Sequence, residues 1–155
     1  MDMQVPQTEA RSTRLLLPGL AGFYRWVEPV SWLIVRLAIG FNLVMHGAPK
    51  LPLGPTAYAG RLAQLGLPHS ELFAWADILI EFVGGLGIML GLFTRFCAAA
   101  VAIEMAFIMV MYIPNGFSWL GRGYEYVLMW GLVSFAIALR GGGPYSVDRR
   151  IGVEL

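Results

Sequence analysis

The stretch from Leu72 to Phe93 reads LFAWADILIEFVGGLGIMLGLF, and it lies between Pro68 and Arg95. Apart from two acidic residues, it contains only apolar, aromatic and small side chains. A helix of about 20 such residues spans the hydrocarbon core of a bilayer. Three other stretches have the same character, and they cover residues 30–46, 97–113 and 124–139. The pattern predicts an all-α protein, an integral membrane four-helix bundle.

The composition agrees with a lipid environment. Hydrophobic residues make up 57% of the 155-residue chain and charged residues only 14%. Soluble domains average roughly 45–50% apolar and about 25% charged residues. A water-soluble protein of this size buries too small a fraction of its surface to hide so many apolar side chains. We therefore expect membrane lipid to cover them.

Few residues are available for metal or redox chemistry. Cys97 is the single cysteine, which excludes a CxxC pair. His46 and His69 form a poor haem pair, because His69 follows Pro68 in a predicted loop. The sequence thus predicts no metal site, and the net charge of +1 gives no extended basic surface for nucleic acid.

The distribution of lysine and arginine predicts the orientation. With four spans, both termini lie on one side of the membrane, and short cytoplasmic segments are usually richer in Lys and Arg. The terminal side carries Arg11, Arg14, Arg25, Arg95, Arg140, Arg149 and Arg150, and the other side carries Lys50, Arg61 and Arg122. Both termini are therefore predicted to be cytoplasmic. This divides the chain into a cytoplasmic or interfacial segment 1–29, a transmembrane domain 30–140 and a cytoplasmic tail 141–155.

Several ionisable residues lie inside the predicted spans. A charge near the bilayer centre costs roughly 2.5–3.5 kcal/mol, so it normally faces a partner or water. Arg36 and Glu104 are about 9 and 10 Å from the same membrane face, counted at 1.5 Å per residue. This equal depth predicts an intramembrane Arg36–Glu104 ion pair, with Glu81 as the other candidate partner of the arginine. A pair that only fixes the helix register explains the same residues.

A second polar group is predicted at the outer membrane face. His46 ends the first span, Lys50 follows it, and Asp77 and Glu125 lie at a similar depth. Histidine exchanges a proton near neutral pH, and lysine can hold an anionic oxygen. This combination suits a quinone head group or a small oxyanion. In the alternative interpretation, His46 only caps its helix and Lys50 only extends to the interface.

Short motifs along most of the chain resemble the DoxX family. They are RLAIG at 36–40, HGAPKL at 46–51, LGLP at 65–68, EFVGG at 81–85, LGLFTR at 90–95, Glu125, and GGGPYSVD at 141–148. Their order and spacing are similar to those of the family from about residue 30 to residue 150. The resemblance implies a four-span protein of a bacterial or archaeal inner (plasma) membrane.

Relatives in that family include the small DoxD subunit of an archaeal thiosulfate:quinone oxidoreductase, which implies a redox context. The leading hypothesis is therefore a subunit of a quinone-linked oxidoreductase, with quinone as its cofactor. In it, His46 and Glu81 exchange protons, while Lys50, Asp77 and Glu125 bind the quinone or substrate.

The rival hypothesis is a non-catalytic anchor or assembly subunit of a larger membrane complex. It would recruit partners through its termini and glycine-rich helix faces, and residues 1–29 would be a docking segment. Besides lipid, the expected partners are other subunits or further copies of the chain. A transporter is a third option, although no inverted repeat is evident in the sequence.

Overall fold

The computed structural model describes residues 15–64, 66 and 69–155, and every regular element in them is helical. The elements are α1 (Ala21–Gly47), α2 (Lys50–Gln64), α3 (Ser70–Leu79), a π-helical segment (Ile80–Gly84), α4 (Gly85–Leu90), α5 (Thr94–Tyr112), α6 (Glu125–Arg140) and α7 (Val147–Ile151). The described residues also contain three 3₁₀ turns. Pro18–Leu20 leads into α1, and Ile113–Asn115 and Trp119–Gly121 lie between α5 and α6.

Three stretches in the described part of the chain are long and apolar enough to cross a membrane. They are Pro18–Gly47, Ser70–Leu90 and Thr94–Asn115. Large apolar side chains point outward from them, including Phe41, Phe96 and Ile103. The predictions of an all-helical fold and of membrane-spanning helices are confirmed for these stretches. Helix α6 has 16 residues, fewer than the usual length of about 20, and it packs along α5.

Helix α1 is longer than predicted. It begins at Ala21 instead of near residue 30, and it continues through Pro29. Proline removes one backbone donor from a helix, and membrane helices tolerate this where neighbouring groups satisfy the freed backbone. The predicted segment 1–29 is therefore helical from Ala21 onward, while residues 1–14 lie outside the described residues.

Glycines allow α1 to approach the second span closely. An added Cβ at Gly47 would lie 2.7 Å from the backbone nitrogen of Phe82, and one at Gly85 would lie 2.9 Å from the Cβ of Leu43. Because lipid gives little hydrophobic drive for helix association, such backbone approach is a main source of packing energy. The π-helical segment, whose hydrogen bonds close a wider turn, directly precedes Gly85, which packs on α1.

The stretch predicted as an outer loop contains helix α2. Its backbone bends at Gly54, where φ is +71°, a conformation that glycine adopts without steric cost. Helix α2 then packs against α3. This arrangement brings side chains of α2 towards α3 at the end of the molecule that holds Lys50.

Candidate functional site

The outer polar group centres on Lys50, the first residue of α2. Its Nζ atom donates to Glu81 Oε2 at 2.5 Å and also to the carboxylate of Asp77. All three side chains are largely buried. Asp77 and Glu81 are four residues apart on consecutive helical turns, so both reach the same ammonium group. The structure thus joins these predicted site residues in one Lys50 cluster, comprising Lys50, Asp77 and Glu81.

Neighbouring carboxylates stabilise the positive charge of Lys50. Burial alone would lower the pKa of Lys50, but the carboxylates of Glu81 and Asp77 outweigh burial and raise it above its ordinary value. Lys50 lies in α2, between the stretches that can cross the membrane. It therefore stays an ammonium ion and a hydrogen-bond donor throughout the physiological pH range.

Tyr58 is a fourth member of this group that the sequence did not predict. Its hydroxyl donates to Asp77 Oδ1 at 3.3 Å, and its ring lies 4.9 Å from Lys50 Nζ. Burial, followed by the charge of Asp77, raises the pKa of Tyr58 to about 12. Tyr58 was not predicted as a site residue because the stretch that carries it was interpreted as a loop without helical periodicity.

A cavity of about 1030 Å³ opens beside the Lys50 cluster. His46 and the Lys50 cluster give it a polar wall, and α5, α6 and the connection between them supply a second wall. That second wall is mainly aromatic and methionine-rich, with Met105, Met111, Tyr112, Trp119, Tyr126, Met129 and Trp130, and it also includes the cationic residue Arg122. The His46 ring meets Trp130 edge to face, with 4.9 Å between ring centroids. Such a mixture of apolar walls and a few polar groups is typical of small-molecule sites.

Glu125 does not line this cavity. Its carboxylate accepts a hydrogen bond from the backbone N–H of Trp119 at 3.2 Å, and its own N–H donates to the carbonyl of Phe117 at 3.0 Å. It therefore fixes the turn before α6. The expectation that Glu125 would join His46 and Lys50 must be corrected, because similar depth in the membrane does not make two side chains face each other.

The predicted Arg36–Glu104 ion pair is not formed. The fully buried Arg36 donates from Nη2 to the carbonyl of Tyr145 at 2.5 Å. Glu104 is also buried, and neither of its oxygens has a hydrogen-bond partner among the described residues. Glu81, the other candidate partner, is bound by Lys50 instead. Helix rise predicted similar depths for Arg36 and Glu104, but it could not give the direction of their side chains.

Comparison with known proteins identifies the family. The DoxX family model matches residues 31–113, which run from α1 into the turn after α5. The chain belongs to the DoxX family. The resemblance seen in the sequence motifs is thus confirmed, and the matched stretch contains His46, Glu104 and the whole Lys50 cluster.

Two of the relatives that this DoxX protein resembles are membrane proteins by name. It is 29% identical to the uncharacterized membrane protein Rv3486 of Mycobacterium tuberculosis over 141 residues, which cover 79% of this chain and 82% of that protein. It is 28% identical to the inner membrane protein YphA of Escherichia coli, over 79% of this chain and 91% of YphA. An uncharacterized protein of Haemophilus influenzae is also 28% identical, over 79% and 92% of the two chains. No solved structure matches.

The C-terminal segment of this DoxX protein lies beyond the matched residues and closes the opposite end of the molecule. The carboxylate of Asp148 accepts from the backbone N–H of Phe93 at 2.7 Å, and from the N–H and hydroxyl of Thr94 at 2.9 and 2.6 Å. It thereby caps the first turn of α5, whose N–H groups have no partners within the helix. Trp32 Nε1 also donates to the carbonyl of Gly141 at 2.9 Å. The predicted tail 141–155 is therefore packed against the bundle. We call the region of the molecule that contains the contacts of Arg36 and Asp148 the Arg36 end.

Proposed function

We propose that this DoxX protein is a quinone-binding membrane subunit of an oxidoreductase, with the cavity beside the Lys50 cluster as the quinone site. The protein would be a four-span bundle in a bacterial or archaeal inner membrane, with both termini in the cytoplasm. The observation that carries this proposal is a cavity of about 1030 Å³ that combines an aromatic, methionine-rich wall with a wall of hydrogen-bonding side chains.

The fourth span is supported by the surface of α6. Leu132, Phe135 and Leu139 are more than half exposed on this helix, as expected for side chains that contact lipid. Its 16 residues are about 24 Å long at 1.5 Å per residue. A bilayer accommodates a somewhat short span by thinning or by adjustments at the helix ends. The count of Lys and Arg then places the Arg36 end in the cytoplasm and the Lys50 cluster near the outer face.

The chemistry of a quinone fits the two walls of the cavity. A quinone is a neutral flat ring whose two carbonyl oxygens accept hydrogen bonds, so it needs apolar contact and a few donors. The aromatic wall, which includes Trp130, provides the apolar contact. His46 and Lys50 are donors on the polar wall.

Reduction of a quinone consumes two electrons and two protons, and this assigns roles to the polar residues. His46 exchanges a proton with the carbonyl oxygen, because imidazole gives and takes protons near neutral pH. Glu81 passes protons along the polar wall, and Asp77 and Tyr58 position Lys50. The electrons come from the substrate or from a cofactor of another subunit.

Binding of a soluble short-chain quinone to the protein in nanodiscs tests this proposal. Two of the five tryptophans, Trp119 and Trp130, line the cavity, so binding should quench fluorescence saturably. His46→Ala should weaken binding, whereas Glu71→Gln, an exposed residue of α3 outside the cavity, should leave it unchanged. The Trp130→Phe variant shows how much of the quenched fluorescence comes from Trp130. Absence of saturable quenching in folded wild-type protein would argue against a quinone site.

The anchor hypothesis is favoured by a separate observation. Tyr145, Ile151, Val153 and Leu155 are each more than half exposed on the folded C-terminal segment. These apolar side chains at the cytoplasmic face would suit a partner subunit. Co-purification from native membranes, with Ile151→Ser and Val153→Ser as variants, tests this role. Loss of a defined partner in these variants, with quinone binding absent in the wild type, would favour the anchor.

A further inference from the structure

A second, smaller cavity lies beside the first, between α3 and α5. Its volume is about 430 Å³, and Leu62, Asp77, Ile108 and Met111 line both cavities. Glu104 lines only the smaller one, which we call the Glu104 cavity. The quinone proposal gives this carboxyl group no role.

Glu104 is the unusual feature of this cavity. The residue is 9% exposed, and both carboxyl oxygens are buried without a hydrogen-bond partner among the described residues. A polar group buried in this way costs free energy, and an isolated carboxylate costs far more. Such a group normally has a partner, so its isolation indicates that something else completes the site.

The charges around Glu104 indicate the sign of what is missing. The groups that act on it electrostatically are Asp77 from α3, Glu81 from the π-helical segment and Lys50 from α2. Lys50 is already shared between Asp77 and Glu81. Among the side chains that the structure describes here, three carboxyl groups thus share one ammonium, and a bound anion would add to this repulsion. The missing component is therefore a proton on Glu104 or another cation.

The remaining walls restrict which cation could enter. They are apolar apart from Asp77, and Phe73 and Phe107 stack beside the acid with ring centroids 5.3 Å apart. Aromatic faces attract cations, most strongly where water is excluded. Ile103, which also lines the cavity, is 72% exposed on a surface that faces lipid. A ligand that approaches from there must dissolve in the hydrocarbon region. Asp77 and Glu104 are also the only carboxyl groups among the described lining residues, too few oxygen ligands to replace the hydration shell of a small metal ion.

We propose that the Glu104 cavity binds a lipophilic organic cation in exchange for the proton held by Glu104. The exchange conserves charge: one monovalent cation enters, its charge pairs with the carboxylate, and one proton leaves to the solvent. The cavity volume lies within the range of about 300–1,000 Å³ that is usual for small-molecule sites. This inference goes beyond the quinone proposal and does not depend on it.

Titration calorimetry of the full chain in nanodiscs, with tetraphenylphosphonium as the probe, tests the inference. Empty nanodiscs correct for partition of the probe into lipid. We expect one saturable site and the release of about one proton per cation, obtained from titrations in two buffers of different ionisation enthalpy. Triphenylphosphine oxide, which carries similar aryl groups without a charge, should bind far more weakly and release no proton. Saturable binding without proton release would overturn the exchange, and no saturable binding would overturn the site.

Matched variants assign the binding to the acid. Glu104→Gln should weaken tetraphenylphosphonium binding roughly tenfold or more, because it removes one partner of a desolvated charge pair. Glu104→Asp should keep proton release, and Glu125→Gln should behave as wild type. Equal affinity in folded Glu104→Gln would refute the assignment. If that variant does not fold, the number of protons that wild-type protein releases per bound cation still tests the exchange. Quenching of tryptophan fluorescence by quinone is measured on the same samples. It shows whether the cation site, the quinone site or both are absent.

Discussion

The Lys50 cluster and the Arg36 end use buried charge in opposite ways. Lys50 pairs with two carboxylates and faces a cavity of about 1030 Å³. Arg36 donates to a carbonyl of the C-terminal segment, and nearby Asp148 caps α5. At one end the charges meet each other beside open space. At the other, Asp148 caps backbone groups, while Arg36 makes one bond to a carbonyl and its Nε and Nη1 atoms are buried without a partner among the described residues. We therefore expect the Arg36 end to contribute mainly to stability and the Lys50 cluster, under the quinone proposal, mainly to binding.

Asp148→Ala should have the largest effect on stability. It removes three charge-assisted hydrogen bonds and leaves the first turn of α5 without its cap. We expect the free energy of unfolding to fall by about 3 kcal/mol or more, since single bonds to charged groups contribute roughly 1.5–3 kcal/mol. This fall is measured by unfolding the protein with SDS in mixed micelles while circular dichroism monitors the helix content. Arg150→Ala, an exposed neighbour on α7, is the matched control. An equal loss of unfolding free energy in both variants would show that the cap makes no specific contribution to stability.

Lys50→Met should have a smaller effect on stability but should abolish quinone binding. Loss of the ammonium leaves Asp77 and Glu81 without a counter-ion. Removing one partner of a buried pair usually costs about 3–5 kcal/mol, and we expect about 2 kcal/mol because water in the cavity can reach the carboxylates. The same unfolding and quenching assays check both effects. The double variant with Asp148→Ala should be additive within about 0.5 kcal/mol, since the two sites share no partner. Strong coupling would contradict the separation of the two ends.

Tyr58→Phe should have the smallest effect near neutral pH. It removes one hydrogen bond to Asp77, which contributes about 1 kcal/mol. The raised pKa of Tyr58, about 12, lies above the unfolded value near 10. The folded state thus holds this proton more tightly, so its contribution is complete below about pH 10 and is lost as the pH rises towards 12.

A difference titration of tyrosinate absorbance between wild type and Tyr58→Phe checks the alkaline prediction. It should show one phenol that ionises near pH 12 in the folded protein. The variant should also lose less stability than wild type between pH 10 and 12. A difference spectrum that titrates near pH 10 would show that Tyr58 is not held by burial and by Asp77.

The sequence predicted the parts of the fold that depend on local pattern. Apolar runs indicated the spans, and the sequence analysis already singled out Lys50, Asp77 and Glu81 as candidate site residues. Helix α2 was missed, because its prolines and the bend at Gly54 interrupt the periodic pattern. Tyr58 was missed with it.

Partner choice could not be predicted for Arg36, Glu104 and Glu125. Their depths in the membrane followed from helix rise, but contacts depend on how each helix is rotated and on which segments fold back. The GPYS stretch at 143–146 was interpreted as part of a tail, which removed the actual partner of Arg36 from consideration. Rotation is set by packing, here by glycine contacts such as that of Gly47 with Phe82, and no local pattern encodes it.

The cap on α5 has a consequence for biogenesis. Asp148 lies 54 residues beyond Thr94 along the chain. During synthesis the start of α5 is therefore made well before its capping residue. The first turn of α5 stays uncapped until Asp148 has emerged and folded back, so closure of the Arg36 end follows the formation of α5. A chain truncated before residue 148 would present an uncapped helix at the membrane surface, where quality-control proteases could recognise it.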